Sequence, residues 1–110
     1  MPFDGQDLRD WQRVLLKAAE IVRAGWCQYA AKDDAGNVCM LGAVGRALGF
    51  EPPGELVHPA TSRNETYLLI KSKLPSGLAF WNDAPGRTAE EVAAVLEHAA
   101  FADMDPRGNG

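Results

Sequence analysis

The sequence has no apolar run approaching the roughly 20 residues that span a bilayer, so no membrane partner is expected. Its first residues, Met1-Pro-Phe-Asp-Gly-Gln-Asp, carry acids where a secretory signal has bases and an apolar stretch, which makes the cytoplasm the expected compartment. Cysteine is scarce. Cys27 and Cys39 are two thiols without a neighbouring Cys or His cluster, so they are expected reduced and cannot build a structural zinc site. Bases are outnumbered, 11 Lys and Arg against 15 Asp and Glu, for a net charge of −4. That balance argues against nucleic acid as a partner, because phosphate contacts need a basic surface. There is no Gly-rich phosphate loop, since Gly42 and Gly45 sit in an apolar stretch with no long strand before it. No metal and no cofactor are expected, and internal repeats are absent.

What is there reads as one globular domain over residues 1–102 with a polar, fraying tail over 103–110. Leu8, Trp11, Leu15, Ala18, Ala19 and Val22 recur at helical spacing, and Val14 and Ile21 widen the same face. Arg9, Arg13, Lys17, Glu20 and Arg23 fall opposite, Asp4, Asp7 and Asp10 suit the positive end of the helix, and Gly25 stops it. Turn residues over 32–37, between short aromatic and β-branched pieces, suggest a small hairpin that would bring Cys27 and Cys39 near each other.

Met40 to Leu48 is apolar nearly all round and predicts a buried helix. Gly42 and Gly45 cost that helix stability and so imply close approach of a backbone or ring. Trp26 and Trp81 packing over them is the simplest expectation. Glu51-Pro-Pro-Gly-Glu is a loop, a third helix is expected from about Thr61 to Leu74, and Leu78 to Trp81 is a short helical or extended piece. Asn82-Asp-Ala-Pro-Gly-Arg is a tight turn, and Thr88 with Glu91 forms a capping box for a last helix reaching about Ala102. The fold class expected is mainly α (α+β): a compact bundle of about four helices, with a short β-hairpin between the first and second.

Taken in order, Gly25-Trp26, Cys39-Met-Leu-Gly-Ala43, Trp81-Asn-Asp83 and Pro85-Gly-Arg-Thr88 with Glu91-Val92 are landmarks of a wider group. They resemble a family of small bacterial and phage proteins built on a domain of unknown function. The resemblance runs from the first helix to the last, omits Glu51 to Ser76, and implies no particular activity.

Cys39 is the sharpest chemical candidate, because a thiol at a helix N-terminus is biased toward thiolate. A catalytic reading needs a base, for which His58 serves, and Asn82 or Asp83 to orient the imidazole. The plainer reading is a core thiol among Val38, Met40 and Leu41. Asn82 and Asp83 are explained by turn hydrogen bonds, or with Trp81 and Arg87 by recognition of a partner, the indole serving as anchor. His98 falls at the edge of the last helix's apolar face. Arg9, Arg13 and Lys17 lie along one line of the first helix and suit an acidic partner or, less well, a phosphate backbone. Leu16 and Phe101 fall off the main faces of their helices, which keeps a homodimer open.

The function expected is therefore a non-enzymatic accessory protein that binds another protein, with inhibition of a host defence system by a phage or mobile element as one such role. The alternatives are a cysteine-dependent hydrolase or transferase using Cys39 with His58, and nucleic-acid binding through the Arg9, Arg13, Lys17 stripe.

Overall fold

A computed structural model describes residues 8–54, 56–74 and 76–102. Asp4, Asp7 and the tail 103–110 lie outside the described residues. Within them the chain is mainly helical and uses six helices, two more than expected: α1 (Asp10–Ala24), α2 (Met40–Ala47), α3 (Pro59–Arg63), α4 (Glu65–Lys73), α5 (Leu78–Asn82) and α6 (Ala89–Phe101). No helix among the described residues is long and apolar enough to cross a membrane.

The extra helices have local causes. The run expected as one helix from Thr61 is broken at Asn64, which ends α3 and caps α4 by accepting the Tyr67 N–H at 3.0 Å. A capping side chain competes with helix continuation, so the chain turns there. Pro59 suits the first position of α3 and His58 caps it, its Nδ1 accepting the Ala60 N–H at 3.0 Å. The apolar piece after Gly77 is helical, as α5.

Helix α1 buries Leu15, Ala18, Ala19 and Val22 against α2 and α6, and these side chains join one cluster with Val38, Met40, Val44, Ile70, Val92 and Leu96. Helices α1 and α6 run antiparallel. At one end Gln12, 3% exposed, accepts the Arg9 N–H with Oε1 and donates from Nε2 to the Ala100 carbonyl at 2.8 Å. It thereby satisfies a carbonyl in the last turn of α6 that has no helical partner. At the other end Arg23 bridges Glu90 and Glu97, which lie on α6. The capping box is as expected: Thr88 Oγ1 accepts the Glu91 N–H at 3.1 Å and Glu91 Oε1 accepts the Thr88 N–H at 2.9 Å.

The connection from α1 to α2 is not a hairpin. Val38 makes a parallel bridge with Trp26 and an antiparallel bridge with Lys32, and neither pairing extends beyond one residue. Residues 28 and 29 are instead tied to α5 and the turn after it, and Cys39 already begins α2, so no ladder can grow. The turn itself is organised by Asp33, whose carboxylate accepts the Ala35 and Asn37 N–H groups. Cys27 and Cys39 follow the Trp26–Val38 bridge on its two segments and both are free thiols.

The glycines of α2 do admit close neighbours, but not the indoles. A Cβ on Gly42 would lie 2.3 Å from the Ala31 carbonyl oxygen, and one on Gly45 would lie 3.1 Å from Thr61 Oγ1. The loop before α2 and helix α3 fill the space expected for Trp26 and Trp81.

Candidate functional site

The loop 27–31 and the turn 82–84 are laced together, and Asn82 is the knot. This residue is 2% exposed and its amide is fully used. Its Oδ1 accepts the Trp26 indole N–H at 2.8 Å and the Met40 N–H at 3.1 Å. Its Nδ2 donates to the Cys27 carbonyl at 3.2 Å and to Asp83 Oδ1 at 2.9 Å. Beside the one bond to its own neighbour Asp83, three of its four bonds therefore reach two distant segments, at Trp26–Cys27 and at Met40. Gln28 adds donations to the carbonyls of Asn82 and Ala84.

Asp83 Oδ1 also accepts the Tyr29 N–H at 2.9 Å. Tyr29 stands at φ +71°, the one non-glycine residue with positive φ among the described residues, and it is 74% exposed. Positive φ is costly for a bulky side chain, so the surrounding bonds hold Tyr29 where it would not settle alone.

Beside this knot lies an open apolar cavity of about 250 Å³. Leu41, Val57 and Ala79 line it, buried Met40 and Leu78 border it, Tyr29 and Leu56 stand at it, and Cys39, Asn82 and Asp83 belong to the same lining. Leu56 is 76% exposed. The cavity draws on four separate stretches of chain, 29–31, 39–41, 56–57 and 78–83.

Of the residues singled out from the sequence, Cys39, Asn82 and Asp83 therefore meet at one cavity. His58 is not part of its lining; it stacks on Phe50 at 5.9 Å between ring centroids, and its Nδ1 is occupied by the Ala60 N–H. The Cys39 sulfur accepts the Gly42 N–H at 3.3 Å as the cap of α2. Burial nevertheless pushes its thiol above the ordinary cysteine value, outweighing the helix-terminal hydrogen bonds that pull it down. Cys27 is pushed up to about 11, chiefly by burial.

Trp81 and Arg87 are outside the cavity lining. The Arg87 guanidinium stacks 4.0 Å over the Trp81 ring, its Nε donates to the Trp81 carbonyl, and it pairs with Glu91 at 3.6 Å. Arg9, the N-cap of α1, and Arg13 and Lys17 on that helix are exposed, Arg13 pairs with Asp10 at 3.0 Å, and none of them lines the cavity. Among the described residues no group of three or more His, Cys, Asp or Glu is placed to hold a metal ion. Sequence reasoning missed Gln28, Tyr29 and Leu56. Only a contact map would have flagged them, since nothing in their local spacing distinguishes them.

Fold and site together define a small helical domain whose one knotted loop and turn border an apolar cavity. The sequence profile of a family of unknown function, DUF6197, matches residues 8–102, and the chain belongs to that family. No curated protein and no solved structure matches it.

Proposed function

We propose that the protein is a non-enzymatic binding protein that receives an apolar anchor of another protein in the cavity between α2, α5 and residues 29–31 and 56–57. The cavity carries this reading. At about 250 Å³ it falls below the usual range for a cofactor or metabolite pocket, yet it admits one or two apolar side chains. Exposed Tyr29 at its side is of a residue type that concentrates binding energy at protein interfaces, and exposed Leu56 adds apolar surface beside it. The raised Cys39 thiol and the engagement of His58 Nδ1 by the Ala60 N–H favour this reading over a cysteine-dependent enzyme.

Within that class, an inhibitor of a host system suits a short acidic chain that acts by occupying another protein's surface. The partner is sought in the cytoplasm, where both thiols stay reduced. The test is co-purification from a lysate of the organism that carries the protein, using the wild-type chain beside Ala79→Trp and Leu56→Asp. Both positions are exposed, so neither change should disturb the core. A partner retained by the wild type and lost by both variants is expected. Equal retention by all three, or no partner at all, would sink the proposal.

A further inference from the structure

The cavity is not uniformly apolar. Asp83 is the one charged residue in its lining among the described residues. The other acids with described contacts are spoken for: Glu51 is paired with Arg46 and Lys32, Glu90 and Glu97 with Arg23, Glu91 with Arg87 and Asp10 with Arg13. Asp33 spends its oxygens on its own turn. Asp83 has no cation against it among the described residues, although it is only partly exposed. Its Oδ1 takes the Tyr29 and Asn82 N–H groups, and its Oδ2 has no partner there. Two bonds from a buried amide and a strained backbone thus fix a carboxylate at the edge of an apolar hollow without neutralising it. A fixed, unpaired charge beside a hydrophobic pocket selects ligands that bring the opposite charge at the same spacing.

Resting on the binding function proposed above, we infer that the occupant is an amphipathic segment of a partner protein in which a lysine or arginine flanks an apolar anchor. The anchor packs against Leu41, Val57 and Ala79, and the basic side chain meets the free oxygen of Asp83. Such a pair is partly desolvated by the anchor, which makes it stronger than an ion pair in open water. The overall negative charge of the chain favours the same partners by attracting basic surfaces from a distance.

The test selects peptides from a displayed random library on the full-length protein and discards any that also bind Ala79→Trp. The best peptide is then titrated against its own Lys→Gln or Arg→Gln form at low and high salt. The selected peptides should pair an apolar residue with a base, the neutralised peptide should bind about tenfold more weakly, and salt should narrow the gap. Asp83→Asn, which keeps the planar shape and an acceptor oxygen for Tyr29 while removing the charge, should bind both peptides alike. Cavity-dependent peptides that carry no base, or no difference between charged and neutral forms, overturn the inference while leaving the binding function intact. Failure to recover any peptide sensitive to Ala79→Trp overturns both. If Asp83→Asn does not fold, the charged and neutral peptides on the wild-type protein still decide.

Discussion

The indole N–H of Trp26 donates to Asn82 Oδ1 at 2.8 Å across 56 positions of sequence. The same oxygen accepts the Met40 N–H, so one amide joins the end of α1, the start of α2 and the end of α5. Around that junction lie an apolar cavity, the strained Tyr29 and the carboxylate of Asp83.

Replacing Asn82 should be among the most damaging single changes. Asn82→Leu would leave the Trp26 N–H, the Met40 N–H and the Cys27 carbonyl without their partner. Each stranded buried group costs about 1–3 kcal/mol, so a loss of at least about 3 kcal/mol is expected in urea unfolding. A loss under about 1 kcal/mol would show that the junction is not what holds these segments together.

The two glycines of α2 should respond differently to alanine. Alanine favours a helix by about 1 kcal/mol over glycine. At Gly42 its methyl meets the Ala31 carbonyl, a backbone atom that can move only with its loop, and a net loss of about 2 kcal/mol is expected. At Gly45 the obstacles are less severe, led by the Thr61 side chain, and Gly45→Ala should stay within about 1 kcal/mol of the wild type. Equal thermal midpoints for the two variants would contradict the difference in their surroundings.

Thr61 is fully buried and its hydroxyl has no hydrogen-bond partner among the described residues. Thr61→Val keeps the branched shape and removes the unsatisfied group, and should raise stability by about 1 kcal/mol. Destabilisation on calorimetry would mean that the hydroxyl is satisfied after all.

Thiol chemistry should be slow. Burial holds Cys39 above its ordinary value of 9.0 and Cys27 at about 11, so at neutral pH both are protonated. Iodoacetamide should modify each more slowly than free cysteine, with both rates rising once urea unfolds the chain. Faster alkylation of native Cys39 would reopen a nucleophilic role for it.

Acid should weaken the tie between α2 and the loop after it. The Arg46 guanidinium, with help from Lys32, holds the Glu51 carboxyl down at about 2, against an ordinary 4.5. Because the folded-state value is the lower one, this contribution is complete above pH 4.5 and fades as pH falls through about 2. Glu51 is half exposed, so solvent screening limits the effect to about 1 kcal/mol or less. Glu51→Gln should flatten the stability profile over that interval while changing little at pH 7, and an unchanged acid limb would exclude the pair as its source.

Local features were readable because their causes are local. The apolar stripe of α1 is set by a 3.6-residue period, and the Thr88–Glu91 box by a three-residue spacing. The mainly helical class follows from such features, as does the buried character of Met40–Ala47. The break at Asn64 had a local cause too, a capping residue ahead of Glu65, but the apolar pattern around it suggested continuity.

The tertiary structure alone decided what the marked residues mean. Asn82 looks like a turn residue until Trp26, Met40 and Cys27 arrive around it, and Cys39 looks activated until its burial is known. Gly42 answers to a loop carbonyl eleven positions earlier in the chain, not to a tryptophan. The hairpin failed for the same kind of reason, since bonds from Gln28 and Tyr29 to Asn82, Asp83 and Ala84 hold the loop elsewhere. Residue spacing reports what a segment prefers by itself. Hydrogen bonds and burial are settled between segments, and here those meetings gather Cys39, Asn82 and Asp83 at a junction with an apolar cavity beside it.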